Sequence, residues 1–188
     1  MASILKTLVF ISGTAGIVFF SWKSLKKPQS HGYYRFFAWE FILALFIFNA
    51  GVWFRDPFST FQIISWILLI LSIFLAVHGV QLLKKIGQPD KKRDRNDISL
   101  MNFEKTTALV TEGAYKYIRH PLYSSLLFLN WGIFFKNPSW PAGIALALAA
   151  SIALFLTARK EENENILFFG RNYETYIART KMFIPFIF

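Results

Sequence analysis

Two polar segments of this sequence bring together residue types that could do chemistry. The first reads Leu109-Val110-Thr111-Glu112-Gly113-Ala114-Tyr115-Lys116-Tyr117-Ile118-Arg119-His120-Pro121-Leu122-Tyr123. Pro121 lacks an amide proton, favours the first turn of a helix and biases His120 away from helical backbone. Arg119 and His120 are therefore expected at the mouth of a helix, where free amides and the positive dipole end suit a carboxylate group. Tyr115, Tyr117 and Tyr123 add aromatic faces and hydroxyls around the same point. A plainer reading is also open: Tyr, Arg and His at the boundary of an apolar run commonly anchor it or snorkel.

The second segment reads Arg159-Lys160-Glu161-Glu162-Asn163-Glu164-Asn165-Ile166-Leu167-Phe168-Phe169-Gly170-Arg171-Asn172-Tyr173-Glu174-Thr175-Tyr176. Glu161 and Glu162 follow directly on an apolar run, where ionised carboxylates are costly unless paired or hydrated. At about 100° per residue, Glu161, Asn165 and Phe168 share one helical face while Glu162 points away. At most one of the two acids is thus expected to face a given pocket. The plainer reading here is a solvated helix, with Lys160 and Glu164 forming an exposed pair worth a few tenths of a kcal/mol. His31, His78 and His120 are too scattered to predict a metal site, and the first two are expected to be structural. With no Cys there is no disulfide, no thiolate ligand and no cysteine nucleophile.

The elements that must position these residues are apolar. The chain has 188 residues, of which 54% are hydrophobic, 19% aromatic and 22 are Phe, with a formal net charge of +10. A soluble domain of that make-up would expose apolar patches it could not cover, and a disordered chain would contain far fewer aromatics. An all-α integral membrane protein is the class that remains. A helix needs about 20 residues to cross the hydrocarbon core, which limits this length to about seven spans. Five apolar stretches stand out, at about 3–22, 36–54, 58–83, 121–135 and 142–158. The first is read as a span and not as a signal peptide, because its positive charges follow the apolar run instead of preceding it. The fourth is short and is expected to extend backwards into 115–120. The fifth is rich in Ala and Gly, which suits a close hairpin with the fourth. The predicted organisation is a three-helix membrane part over 1–83, a polar loop over 84–111 holding Lys91-Lys92-Arg93-Asp94-Arg95, and a helical hairpin with a C-terminal segment over 112–188, forming one domain overall.

All 21 Lys and Arg except Lys6, Arg55 and Lys136 fall after spans one, three and five. The excess of positive loops on one side predicts that this side is cytosolic, with the N-terminus outside and the C-terminus and polar segments inside. A multi-pass protein of a bacterial-type inner membrane, or its equivalent, follows. The charge fits topology and attraction to anionic lipid, and no groove-reading module suggests nucleic acid as a partner.

Taken together, the two polar segments resemble the isoprenylcysteine carboxyl methyltransferase family of integral membrane methyltransferases. The resemblance rests on Leu-Val-Thr-x-Gly-x-Tyr at 109–115, Arg-His-Pro-x-Tyr at 119–123, the pair Glu161-Glu162, and Phe-Gly-x-x-Tyr-x-x-Tyr at 169–176, followed by the apolar tail Phe183-Ile184-Pro185-Phe186. It covers about 106–188. Added to the five transmembrane helices read from the apolar stretches, it implies a cytosolic C-terminal helical segment closing over the last hairpin around S-adenosyl-L-methionine, and no glycine-rich dinucleotide loop. It further implies that Thr107, Ala108, Leu109 and Val110 line the adenosine, that Tyr115 and the turn His120, Pro121, Leu122 and Tyr123 enclose the sugar and amino-acid part, and that Glu161 is the polar anchor. The residue types agree, since aromatic faces and a carboxylate suit a sulfonium and an ammonium.

The sequence departs from the family on the substrate side. Thr157 stands where prenylcysteine methyltransferases carry the Arg that holds the substrate carboxylate, and Thr107 stands where the family often has His. Arg159 and Arg119 are the remaining candidates for positioning the substrate. The resemblance implies methyl transfer to a lipophilic or amphiphilic acceptor, whether a carboxylate, a phospholipid amine or a thiol, presented as a small molecule or a lipidated substrate. Membrane lipid is the expected partner, without nucleic acid or metal. Two other classes stand beside this one. A membrane enzyme of the sterol-reductase type would need a nicotinamide site, for which no motif is present. In a non-catalytic membrane protein, Glu40, Asn49 and His78 inside the spans would join helices.

Overall fold

The computed structural model describes residues 2–89, 101–138 and 141–187. The mixed-charge run at 91–95 lies outside those residues, as do positions 139 and 140 of the turn before the last apolar stretch. Six α-helices account for most of the rest: α1 (Ala2–Leu25), α2 (His31–Asn49), α3 (Thr60–Lys85), α4 (Pro121–Phe134), α5 (Pro141–Phe169) and α6 (Arg171–Arg179). Local chemistry sets several of these ends. The Ser59 hydroxyl accepts from the Gln62 amide at 3.4 Å to start α3, and Pro121 and Pro141 begin α4 and α5, where a missing amide proton costs nothing.

Four segments are long and apolar enough to cross a membrane: Ile4–Leu25, His31–Val52, Thr60–Lys85 and Pro141–Phe169. The expected fourth span is different. Helix α4 has 14 residues, about 21 Å at 1.5 Å per residue, and it does not extend backwards into 115–120. Pro121 ends that possibility, and the preceding chain forms a short 3-10 turn, Gly113–Lys116, and then an extended piece. Helix α5 is longer than expected, because 29 residues run unbroken from Pro141 to Phe169. Glu161 sits about 30 Å along it from Pro141, one hydrocarbon thickness away.

Neighbouring helices run antiparallel. Lys6 on α1 reaches the Phe48 carbonyl near the end of α2. A Cβ on Gly79 would touch Leu122, and one on Gly132 would touch Leu69, so α3 and α4 pass each other in opposite directions. The Lys136 ammonium then reaches Gln62 Oε1 at 2.9 Å, so α4 and the turn after it follow α3 from Gly79 down to Gln62. Polar groups join the helices inside the apolar layer. Asn49 donates to the Ile133 carbonyl, Ser65 to the Gly132 carbonyl, Asn130 to the Ala147 carbonyl, and Thr14 to Glu40. The small residues of α5 do allow close approach, but its main neighbour is α2 rather than α4. Ala147, Ala150, Ala153 and Ala158 are buried there opposite Ala38 and Leu45.

One end of the bundle gathers the start of α2, the ends of α3 and α5, the start of α4, and α6. Gly113 makes the approach to this end possible. Its φ is +56°, and an added Cβ would lie 2.6 Å from His78 Nε2 and 2.7 Å from a Leu82 methyl. Gly113→Ala is therefore expected to cost about 1–3 kcal/mol, read as a lowered thermal unfolding midpoint of the detergent-solubilised protein. An unchanged midpoint would show that the turn relaxes freely.

Candidate functional site

Helix α5 carries three carboxylates past the apolar layer, and each meets a different environment. Glu162 is buried and paired. Its Oε1 lies 2.6 Å from Arg119 Nε and 3.4 Å from His120 Nε2, and its Oε2 lies 3.5 Å from Arg159. Glu164 receives the His31 backbone amide at 3.1 Å and His31 Nδ1 at 2.5 Å, which ties α2 to α5. Glu161 forms no ion pair among the described residues and lines a cavity. Helical phase explains the split between the two adjacent acids, since they point about 100° apart.

The C-terminal segment closes this end. After the 29 residues of α5, Gly170 turns the chain with φ +60°, a conformation that side-chain-bearing residues rarely adopt. Tyr173 and Tyr176 then fall three apart on the buried face of α6. The Tyr176 hydroxyl donates to the Tyr115 carbonyl at 2.6 Å. Beyond α6 the tail pairs with the stretch before α4. Arg119 N donates to the Lys181 carbonyl at 2.8 Å, Lys181 N to the Tyr117 carbonyl at 3.0 Å, and His120 N to the Met182 carbonyl at 3.2 Å. The Arg119 guanidinium adds a bond to the Thr180 carbonyl. Arg119 thus fastens α5 to the tail and the tail to the mouth of α4.

Between these parts lies a cavity of about 580 Å³, its open mouth included. Leu83, Leu109, Val110 and Leu122 give it an apolar side, and Tyr115, Tyr123, Phe169, Tyr173 and Tyr176 give it an aromatic one. Its polar groups are Glu104, Thr106, Arg119, His120, Glu161 and Asn165. Burial, and then the Glu161 charge, pushes the Tyr115 and Tyr173 phenols well above the usual tyrosine range. Burial raises Tyr176 too. These phenols are neutral donors at any physiological pH. The Tyr123 hydroxyl is buried without a hydrogen-bond partner of normal geometry, and so is His120 Nε2. The His120 ring stacks on Tyr123 with centroids 5.5 Å apart.

Of the residues the resemblance assigned to the cofactor, Leu109, Val110, Tyr115, His120, Leu122, Tyr123 and Glu161 line this cavity. Thr107, Ala108 and Pro121 do not. Thr107 is exposed, with its hydroxyl on the Gln88 carbonyl, and Thr106 faces the cavity in its place. Pro121 is buried beneath the turn as its structural start. The substrate candidates are placed differently from each other. Arg119 reaches the cavity, but its Nε and Nη1 are engaged by Glu162 and Thr180. The Arg159 side chain is 62% exposed and lies outside the cavity lining. Thr157 is fully buried and donates to the Ala153 carbonyl at 2.7 Å. Phe168 was expected beside Glu161, but Phe169, the last residue of α5, takes that place and stacks on Tyr173 across the Gly170 turn.

Sequence reasoning missed the wall behind the site. Glu104 lines the cavity, accepts the Met101 amide at 2.8 Å and pairs with buried Arg35 at 2.9 Å. Arg35 lies one helical turn beyond His31 on α2, so the same face of α2 meets two acids, the cavity-lining Glu104 through Arg35 and Glu164 of α5 through His31. Nothing local marks Glu104, since its partner is 69 residues away. Tyr173 and Tyr176 did carry a signal, the three-residue spacing after Phe169-Gly170. Burial would raise the Glu104 carboxyl, but the Arg35 charge outweighs it and holds the group below the usual range. The stability this pair supplies is complete above about pH 4.3, the ordinary Glu value, and is lost as pH falls from there through the lowered value. Below about pH 4.3 the unfolding midpoint of the wild type is expected to fall more steeply with acid than that of Glu104→Gln. Parallel slopes would show that the pair adds nothing.

Residues 60–172, more than half of the chain, match the phospholipid methyltransferase family model. The chain is 36% identical over 88 residues to protein-S-isoprenylcysteine O-methyltransferase B of Arabidopsis thaliana, which covers 45% of this chain and 43% of that one. It is 30% identical over 128 residues to protein-S-isoprenylcysteine O-methyltransferase of Xenopus laevis, covering 66% and 42%. It is 26% identical over 125 residues to methanethiol S-methyltransferase of Crocosphaera subtropica, covering 66% and 44%. The chain thus spans about two fifths of the length of each of these relatives. No solved structure matches it. The family match takes in α3, α4, α5 and the cavity wall from Leu83 to Phe169, and the chain, similar to protein-S-isoprenylcysteine O-methyltransferases as its motifs suggest, belongs to the phospholipid methyltransferase family.

Proposed function

We propose that the chain is an S-adenosylmethionine-dependent methyltransferase that acts at the membrane on a lipophilic or amphiphilic acceptor. One observation carries the reading: an unpaired carboxylate, Glu161, faces a cavity walled by neutral tyrosines at the end of an apolar bundle. The cofactor carries a sulfonium, an ammonium and a carboxylate, and the residues present fit all three. Glu161 suits the ammonium, the aromatic faces of Tyr115 and Tyr173 suit the sulfonium, and the buried Tyr123 hydroxyl, which has no hydrogen bond of normal geometry, suits the carboxylate. Leu109, Val110 and Leu122 offer apolar contact to the adenosine.

When bound, the cofactor supplies an activated methyl group on a good leaving group. The task left to the chain is to hold donor and acceptor in line and keep water out, effects worth about 7–11 kcal/mol in favourable cases. The closing tail, Tyr176 and the Arg119 clasp serve that task. The relatives' names include an O-methyltransferase and an S-methyltransferase activity, so carboxylate and thiol acceptors belong to the proposal, and the phospholipid named by the family description keeps a phospholipid amine beside them. The one-sided Lys and Arg distribution supports a cytosolic site and an inner-membrane-type location. The run of α4 and its following turn along α3 from Gly79 to Gln62, about 26 Å, supports a fifth crossing.

Calorimetric titration of the detergent-purified protein with S-adenosylmethionine and its demethylated product tests the reading, and folded protein that binds neither overturns it. A labelled methyl donor incubated with total lipid extract sorts the acceptors. Base-labile label indicates an ester, and stable label an amine or thioether.

A further inference from the structure

A second cleft lies on the outer side of the cavity wall, between the stretch 109–116 and α6. It encloses about 810 Å³, its open mouth included. Lys116 and Arg179 line it together with Thr111, Asn172 and Thr175, and no carboxylate does. Neither cation forms an ion pair among the described residues. Next to Lys116, Tyr117 is half exposed and its ring meets Phe186 at 5.9 Å. Phe186 and Ile187 of the tail are 81% and 75% exposed. Two unpaired cations set among hydroxyl and amide groups, with exposed apolar side chains alongside, are the features of a bilayer interface that holds a headgroup.

We propose that this cleft binds a phosphate group, and that an anionic phospholipid headgroup presents it while Tyr117, Phe186 and Ile187 enter the acyl boundary. Leu109 and Tyr176 line both this cleft and the main cavity. A phosphate held on the outer side therefore braces the wall against which the cofactor is expected to lie, and anionic lipid tightens cofactor binding. Only this coupling rests on the methyltransferase reading; the lipid site does not.

The test uses the full chain in bilayer nanodiscs of phosphatidylcholine with and without phosphatidylglycerol. Native mass spectrometry counts the phosphatidylglycerol retained on release, and calorimetry reads cofactor affinity. Lys116→Gln and Arg179→Gln are each expected to reduce retention about tenfold, the loss of one charge-assisted hydrogen bond to the phosphate. Lys23→Gln with Lys26→Gln removes equal charge from the same face outside the cleft and is expected to leave retention nearly unchanged. Equal losses from both pairs would mean diffuse attraction and overturn the site. Inorganic phosphate distinguishes the source: titrated into the phosphatidylglycerol nanodiscs, competition with lipid retention supports the site, whereas saturable phosphate binding in pure phosphatidylcholine with no phosphatidylglycerol retained in the mixed discs overturns the lipid and assigns the cleft to a soluble phosphate. Binding of neither overturns the proposal. Cofactor affinity that is measurable but independent of phosphatidylglycerol overturns the coupling alone.

Discussion

Glu161→Gln is expected to weaken S-adenosylmethionine binding about ten- to a hundredfold while leaving the fold intact. The carboxylate lines the cavity and forms no ion pair among the described residues, so its neutralisation strands no buried ion-pair partner. Replacing it by an amide of the same shape keeps the packing and removes a charge-assisted contact worth about 1.5–3 kcal/mol. The effect should grow at low ionic strength only slightly, because the site is walled by protein on most sides. Calorimetry in detergent reads the affinity, and circular dichroism with a thermal scan checks the fold. Tyr123→Phe is the companion variant. It leaves the ring stacked on His120 and removes only the buried hydroxyl that faces Glu161. If Glu161→Gln binds the cofactor as tightly as the wild type does, the carboxylate is not the anchor and the proposed orientation of the cofactor falls.

What the sequence showed and what it hid follow from the range of the interactions involved. The apolar runs are local, so α1, α2, α3 and α5 could be read from composition. The facing of Glu161 away from Glu162 is a matter of helical phase and could be read from two positions. Even the clasp by the tail left a trace, because Gly170 followed by Tyr173 and Tyr176 is a turn with a two-tyrosine face. The start of α4 was misjudged. A span of ordinary length was expected to reach back into 115–120, whereas Pro121 starts the helix and a turn after Phe134 completes its run along α3. The back wall was hidden for a different reason. Arg35 and Glu104 are ordinary charges until α2 and the polar loop meet, and His31 with Glu164 are 133 residues apart. One-residue shifts such as Thr106 for Thr107 are set by the bridge between Pro89 and Thr106 and by the Thr107 amide bond to Gly87, neither of which has a local signature.

Glu162 gives the opposite expectation to its neighbour. Its carboxylate is 4% exposed and sits 2.6 Å from an Arg119 side chain that is 9% exposed. What matters for the variant is the partner left behind. Glu162→Ala strands a guanidinium in a dry site, and breaking such a pair from one side costs about 3–5 kcal/mol. The loss also loosens the clasp, because the same guanidinium holds the Thr180 carbonyl and the tail pairs through 117–120. The unfolding midpoint is expected to drop on the order of 10 °C, with cofactor affinity of the folded fraction changing far less than in Glu161→Gln. Glu162→Leu combined with Arg119→Met removes both charges and keeps the volume, so it should recover most of the midpoint. It should not recover all of it, since the Thr180 carbonyl then lacks its donor. Loss of binding in Glu162→Ala without loss of stability would mean that this carboxylate, and not Glu161, meets the ligand, and the roles drawn from helical phase would exchange.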